Sequence, residues 1–487
     1  MLRKLFLLFF LMVTAVPAYP VGSLKLPDDF GEITFYGRNR ARYEAWDYFS
    51  STTDNDYEFG ANQLRLGARW DHAYFKGHAA WQYTQLSNLP TRTSAGAGTG
   101  SLYYSNSLNR NSHGQYVKYL HVDLKDVWKI GLTGSAGRFN YTSGNEMKSD
   151  DKKLDWLKSQ RIVDRLIGGF DWSHYGRSFD GTKGVWSNDA VQVEVAGFSP
   201  TQGGFEERAH RHISDIDVLA VEANIKKDKL IPGMEENFFY YGYDDHRNIA
   251  ATTVRFDNTG RSIRSGTETD IELHTFGGHL VGAYKIGPGV WDVLGWAAVQ
   301  EGLWFELDHE AYAFAAETGY QFNGLPWKPW LRGGFNFASG DDDPKDGDHE
   351  TFFQMLPTAR LYSFSILYNL MNSEDVFLSL ILKPLDNVTV RTEVHAVELA
   401  EKKDRWYLAS GAMHNNVADD FAARASGNND DLGQLVDVTV SWAVHPDVTI
   451  TAYYGHFFGG DVAESFFSGN GAQQDANYAY AEVVVNF

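Results

Sequence analysis

Arginine recurs at every second position near the beginning of the chain. Arg38, Arg40 and Arg42 are followed, with the same spacing, by Glu44. Because side chains alternate across a β-strand, these four would share one face, with apolar residues on the other. A guanidinium is always charged and offers paired donors that match a carboxylate. This stripe is suited to binding anions, or to pairing with carboxylates of its own wall.

The same alternation recurs further along the chain. Segments 63–70, 388–396 and 436–442 each set polar side chains against an apolar face. They add four charged candidates to the polar faces: Arg65, Arg69, Arg391 and Glu393. An arginine stripe is ordinary on a water-facing surface, so its meaning depends on the architecture that carries it.

Few other chemistries are indicated. Cysteine is absent, which removes disulfides, thiol catalysis and cysteine zinc sites. The 16 histidines form no HExxH pair, and there is no GxSxG elbow. The acidic run Asp341–Asp348 lacks EF-hand spacing and is more typical of a solvated loop than of a calcium site. We predict no enzyme activity, catalytic residue, metal or cofactor, and the net charge of −20 argues against nucleic-acid binding.

The first 18 residues have the layout of a secretory signal peptide. Arg3 and Lys4 precede an apolar run that ends at Val13, and small residues for cleavage follow. Residues 19–31 would form a short leader. Beyond residue 20 no apolar run approaches the ~18 residues that a membrane-spanning helix needs. An exported chain of this kind suits a bacterial periplasm or outer membrane.

Alternating segments predict an all-β protein of about 18 strands. They lie near residues 32–48, 61–71, 74–86, 115–124, 130–139, 179–187, 190–199, 213–223, 236–244, 269–284, 291–302, 309–321, 328–338, 375–383, 388–399, 432–444, 447–458 and 476–487. Two loops between them need comment. Residues 94–101 read as a flexible loop and not a phosphate cradle, since no helix start follows. Residues 150–168 fit either a short rim or plug helix or a loop.

Two architectures explain such strands: a soluble sandwich or propeller, and a single transmembrane antiparallel barrel over residues 32–487. Aromatic residues near strand ends, long loops opposite short turns, and an amphipathic last strand ending in Phe487 favour the barrel. An arginine facing lipid at mid-bilayer costs about 2–4 kcal/mol, so in a barrel the stripes must face the lumen. We therefore expect long extracellular loops, short periplasmic turns, contact with outer-membrane lipid, and recognition of the last strand by the outer-membrane assembly machinery.

Several blocks follow one another in a definite order. They are Arg40-Ala41-Arg42-Tyr43-Glu44-Ala45-Trp46, Gln63-Leu64-Arg65-Leu66-Gly67, Gly137-Arg138-Phe139, Asp164-Arg165-Leu166-Ile167-Gly168 with Asp171-Trp172, Gly176-Arg177-Ser178-Phe179-Asp180-Gly181, the segment from Gly333 to Asp341, and Leu432-Gly433. Their order and spacing resemble the alginate-export family of outer-membrane barrels. The chain departs from that pattern by an insertion near 145–160 and by Phe139 where the family usually has glutamine.

The resemblance implies a monomeric 18-stranded porin in the bacterial outer membrane. Its electropositive lumen would pass an anionic polysaccharide or oligosaccharide, such as a polyuronate. Candidate lumen residues are Arg38, Arg40, Arg42, Glu44, Arg65, Arg69, Arg138, Arg177, Asp180, Arg332, Arg360, Arg391 and Glu393. The alternatives are a general or small-molecule porin on the same barrel, an outer-membrane enzyme, and a soluble secreted β-protein.

Overall fold

The computed structural model is an all-β barrel, and it describes residues 22–27, 29–94, 96–126, 128–248, 270–358, 365–408, 411–415, 423–469 and 471–487. The predicted signal peptide and Arg360 lie outside these residues. The strands are β1 (Ser23–Lys25), β2 (Glu32–Asp47), β3 (Asp56–Asp71), β4 (Phe75–Ser87), β5 (His113–Leu124), β6 (Leu132–Phe139), β7 (Phe179–Ser187), β8 (Val191–Pro200), β9 (Ile216–Ile225), β10 (Met234–Asp245), β11 (Ile271–Ile286), β12 (Gly289–Trp304), β13 (Leu307–Phe322), β14 (Trp330–Ala338), β15 (Asp348–His349), β16 (Ser373–Leu385), β17 (Val388–Glu398), β18 (Arg405–Tyr407), β19 (Ala423–Ala425), β20 (Asp431–His445), β21 (Val448–Gly459) and β22 (Ala476–Asn486).

Eighteen of these strands, all but β1, β15, β18 and β19, form a closed antiparallel barrel. Closure is made by β2, which pairs with β3 on one side and with β22 on the other. A closed sheet leaves no unpaired strand edge, which is the condition for a sheet to cross a lipid bilayer. The predicted number and antiparallel arrangement of the strands are confirmed.

The outer face of the barrel is apolar and exposed. On β16, for example, Val376 and Leu378 are 56% and 54% exposed. The alternate residues of the strand point inward, and two of them, Asp375 and Ser379, are polar and buried. This is the period-two pattern of a lipid-facing exterior around a polar interior. The described residues include three helices, α1 (Gly98–Ser107), α2 (Lys152–Arg161) and α3 (Asp461–Phe466). No helix in the described part of the chain is long and apolar enough to cross a membrane.

The two ends of the barrel differ. Short turns, such as residues 72–74, 287–288 and 446–447, join strands at the end where β2 begins. Long loops leave the other end, and two of them, 140–178 and 339–372, meet each other. Gly168 donates its N–H to the Leu356 carbonyl at 2.8 Å, and Leu356 donates to that of Leu166 at 2.9 Å. Because Leu166, Ile167 and Leu356 are almost fully buried, these loops contribute to a packed core.

Both loops singled out in the sequence contain a helix. Residues 94–101 are not a plain loop, because α1 begins at Gly98. A Cβ at Gly98 would lie 2.6 Å from the Tyr57 hydroxyl and 2.7 Å from the Trp46 ring, so glycine lets the helix pack on β2 and β3. Residues 150–168 contain α2, whose first turn is capped by the Asp151 carboxylate accepting from the Lys153 N–H at 2.8 Å.

The aromatic residues near strand ends divide between the two faces. Trp327, Trp442 and Tyr454 are exposed, as a membrane-interface girdle requires. Trp46 and Trp330 are buried instead. Trp46 stacks on Tyr478 with ring centroids 4.1 Å apart, so it belongs to the inner face and not to the girdle.

Candidate functional site

The arginine stripe of β2 faces the barrel interior. Arg40, Arg42 and Glu44 are 2%, 3% and 0% exposed, whereas Phe35, on the other face, is 41% exposed. Arg65 of β3 lies beside them and is also buried. The alternation of the sequence therefore places these four side chains on the inward face.

The stripe is covered by a segment of the long loop after β6. We call residues 171–177 the inserted segment. Arg40 donates to the carbonyls of Asp171, at 2.7 Å, and of Ser173. Arg42 donates to the carbonyl of Trp172 at 2.9 Å. Buried carbonyls require donors, so these guanidiniums do structural work.

Neighbouring strands hold the rest of the inserted segment in the same way. Gln63 and Thr84 both donate to the His174 carbonyl at 2.8 Å. Tyr116 donates to the Tyr175 carbonyl, and Lys118 donates to the Arg177 carbonyl. Side chains from four consecutive strands thus bind peptide groups along one segment and fix its path along the inner face of β2–β5.

Glu44 anchors the covered end of the stripe. Its carboxylate accepts from Tyr478 at 2.9 Å and from Thr99 at 2.8 Å. It also contacts Nε2 of His174 at 2.8 Å. Burial lowers the pKa of His174 to about 4, so at neutral pH the imidazole is uncharged and serves Glu44 as a hydrogen-bond donor. Glu44 is therefore a structural acceptor.

Asp171 marks the boundary between the covered and the open parts of the stripe. Its carboxylate lies 3.4 Å from Arg65 and 3.2 Å from Lys118. Although burial raises the pKa of Asp171, Lys118, Arg65 and Arg38 together hold it well below its usual range. A carboxylate of the chain itself is thus stabilised by cations of β2, β3 and β5.

Two inward arginines, Arg38 of β2 and Arg69 of β3, lie nearer the short turns than the inserted segment does. Arg38 is partly exposed and donates to the Gln63 side chain at 3.2 Å. Arg69 is exposed, and its guanidinium lies 4.6 Å from the centre of the Tyr36 ring. These side chains keep donors available on the side of the short turns.

The opposite wall of the lumen is acidic and is neutralised by α2 and its neighbours. Glu317 of β13 lies 3.0 Å from Arg161 and 2.9 Å from Arg332. On β17, Arg391 lies 3.1 Å from Glu393. Arg332, Arg391 and Glu393 therefore face inward, and each takes part in an ion pair within this wall.

The lumen assignment of Arg138 and Asp180 is wrong. Both lie on the outer face, because the register places Arg138 opposite Leu120, which is 60% exposed, and opposite Asp180. The Arg138 guanidinium and the Asp180 carboxylate form a bidentate ion pair with two hydrogen bonds of 2.7 Å. This pair neutralises both charges near the end of the barrel that carries the long loops. Phe139 takes the inward position of that strand end and is buried.

The remaining candidates are in loops. Arg177 belongs to the inserted segment and not to a strand, and its guanidinium lies 5.3 Å from the centre of the Phe170 ring. Arg360 is outside the described residues. The sequence analysis did not name Lys118 as a site residue, and it named Asp171 only as part of a family block. The alternation of β5 could have indicated Lys118, but no comparable signal indicated Asp171.

Within the described part of the chain, one group of three side chains could hold a metal ion: His246, Asp270 and Glu272 at the long-loop end. The acidic run Asp341–Asp348 contributes to no such group.

Comparison with known proteins identifies a family and a fold. Residues 117–480 match the model of a family described as alginate export. No curated protein matches the chain. Similar solved structures include Pseudomonas aeruginosa OccK9 (OpdG), with 10% identity over 93% of this chain and 98% of that one and a TM-score of 0.57. Acinetobacter baumannii OccAB2 has 9% identity, coverage of 94% and 99%, and a TM-score of 0.57. Pseudomonas aeruginosa OccK2 (OpdF) in complex with glucuronate has 8% identity, coverage of 93% and 98%, and a TM-score of 0.55.

Proposed function

We propose, since this chain belongs to the alginate export family and is a channel of the bacterial outer membrane, that it passes anionic saccharides through its lumen. The solutes would be uronate-containing oligosaccharides or polysaccharides. Each uronic acid unit carries a carboxylate, which is the group that a guanidinium binds best.

The observation that carries this proposal is the cation-lined surface on the short-turn side of the inserted segment. Arg38 and Arg69 are accessible there, and Arg65 and Lys118 meet the carboxylate of Asp171 next to them. The binding of the Asp171 carboxylate by these cations supports the binding of a solute carboxylate at the adjoining Arg38 and Arg69. Weak binding at several such positions lets a solute move from one to the next without being trapped.

A small-molecule porin is the second candidate, and one observation favours it. Donors from β2, β3, β4 and β5 hold the inserted segment inside the barrel, where it takes up space in the lumen. Barrels of this fold have been crystallised with glucuronate and with vanillate, both small carboxylates. Chain length of the solute thus separates the two candidates, and a carboxylate is common to both.

Uptake by liposomes containing the purified protein tests the proposal. Uronate monomers, dimers and longer oligomers would be compared with neutral saccharides of equal length. We expect each uronate to pass faster than the neutral saccharide of the same length. Equal passage of uronate and neutral saccharides would contradict selection by charge. Passage of monomers alone would favour the small-molecule porin.

A further inference from the structure

A separate cavity lies on the inner side of β4–β7, below the inserted segment and towards the short turns. Its volume is about 530 Å³, and it is lined by residues of these four strands together with Lys125 and Asn140, which directly follow β5 and β6. This volume is within the ~300–1,000 Å³ that small-molecule sites occupy. The cavity adjoins the open part of the stripe, because Tyr119 lines it and also lies beneath the Arg65 guanidinium, 5.3 Å from ring centre to cation.

Aromatic and imidazole rings form a continuous file along this wall. The centroid of His78 lies 5.4 Å from that of Tyr119 and 5.0 Å from that of His121. Phe139 continues the file 6.4 Å beyond His121. The rings of His78 and His121 are nearly perpendicular, at 87°, so the file offers both ring faces and ring edges to a ligand. The C–H groups of sugar rings make weak contacts with such π-systems.

Charges around the file favour an anionic ligand. Lys183 and Lys76 line the cavity, and Lys183 lies 6.0 Å from the centre of the Phe139 ring. Asp123 is the carboxylate of the lining among the described residues, and it accepts from the Ser135 hydroxyl at 2.7 Å. Asp123 is therefore engaged by the protein, and so is Lys183, whose Nζ lies 3.6 Å from the Glu194 carboxylate. Lys125, which also lines the cavity, pairs with Asp71. Lys76 is exposed and forms no hydrogen bond or ion pair with any described residue.

We propose that this cavity is a binding site for one or two rings of an acidic saccharide. The rings contact the half-buried imidazoles of His78 and His121, and the carboxylate of the sugar pairs with the exposed Lys76. This inference rests on the proposed function and deepens it, because it locates where a uronate unit pauses between the inserted segment and the short-turn end of the lumen.

Titration calorimetry on the detergent-solubilised protein tests the site directly, with a diuronate and a neutral disaccharide as probes. We expect the diuronate to bind and the neutral disaccharide to bind at least about tenfold more weakly, since a hydrogen bond to a charged group is lost. In the Lys76→Gln variant, affinity for the diuronate should fall about tenfold. Heat-modifiable gel mobility confirms that each variant is folded.

Lys285→Gln is the matched control, because Lys285 is an exposed lysine near the short-turn end of β11 that does not line the cavity. If both variants bind the diuronate as the native protein does, the cavity site is wrong. The proposed function then stands or falls separately, on whether liposomes still take up uronates faster than neutral saccharides. If the native protein binds both disaccharides equally, the carboxylate pairing is contradicted even where uptake remains selective.

Discussion

At the scale of single residues, the inward arginines have two different roles. Arg40 is almost fully buried and binds backbone carbonyls, whereas Arg69 is exposed and lies over an aromatic ring. Both occupy lumen-facing positions, Arg40 on β2 and Arg69 on the neighbouring β3. An inward arginine is therefore a candidate for solute contact only where no segment of the chain has taken its donors.

Arg40→Ala tests the structural role. It leaves the carbonyls of Asp171 and Ser173 without these donors, at about 1–3 kcal/mol for each buried group. We expect the inserted segment to loosen, so that single-channel current becomes noisier and limited proteolysis cuts the long loop faster. Arg69→Ala is the control and should leave proteolysis unchanged. An Arg40→Ala variant as resistant as the native protein would contradict this role.

Glu317 is the corresponding residue of the acidic wall. It pairs with Arg161 and Arg332, and both guanidiniums are buried. Removing one partner of a buried charge network costs about 3–5 kcal/mol, because the remaining charges lose their compensation. We expect Glu317→Ala to lower the temperature at which the barrel loses its heat-modifiable gel mobility. Exposed Glu310→Ala of the same strand should not, and equal effects would contradict the assignment.

At the scale of elements, a loop-to-loop contact should respond to pH. Burial and repulsion by Asp404 raise the pKa of Asp341 to about 7, and burial raises that of Asp404 to about 6. The Asp341 N–H donates to the Asp404 carboxylate at 3.1 Å, which ties loop 339–372 to loop 399–430. Because the folded loops bind protons more tightly than an exposed aspartate does, the packed arrangement of the two loops is most stable below about pH 4 and loses stability as pH rises through 6 to 7.

Hydrogen exchange at these two loops measures the effect. Protection of the Asp341 amide should fall between pH 5 and pH 8 once exchange rates are corrected for intrinsic pH dependence. The Asp404→Asn variant should lose most of this change, because the second carboxylate is gone. A native protein whose corrected protection is constant across that range would contradict the prediction.

Elements differed sharply in how far the sequence could predict them. Each predicted strand corresponds to one barrel strand, because alternation is imposed locally by lipid on one side and the lumen on the other. The start of β3 was placed five residues late, since Asp56–Glu58 are polar on both faces. The inserted segment was beyond prediction, because it depends on contacts such as that of Arg40 with Asp171, 131 residues away.

The site residues follow the same division. The alternation of their own strands predicts that Arg40, Arg42 and Arg65 face inward. It does not predict that the inserted segment covers them. Arg138 was misplaced because a Gly-Arg-Phe strand end does not specify a face. Its facing is set by pairing with β5, where a register shift against β4 changes which residues point inward.

At the scale of the whole molecule, closure depends on the last strand. Gly37 and Phe487 exchange two backbone hydrogen bonds, at 2.6 and 2.9 Å, and a Cβ on Gly37 would lie 2.2 Å from the Phe487 ring. We propose that this strand is also what the outer-membrane assembly machinery recognises. Deleting Phe487 should reduce the inserted, heat-modifiable fraction in outer membranes by several-fold, while deletion of residues 22–25 should not. Equal insertion of the shortened and full chains would contradict this.

The proposed function requires that open lumen cations, and not the overall acidity of the chain, govern which solutes pass through the channel. The reversal potential of single channels in a salt gradient measures this most directly. We predict anion preference for the native protein, a clear shift towards cations in the Arg38→Gln/Arg69→Gln double variant, and a smaller shift in Lys285→Gln. Cation preference in the native channel, or a double variant indistinguishable from it, would contradict the account.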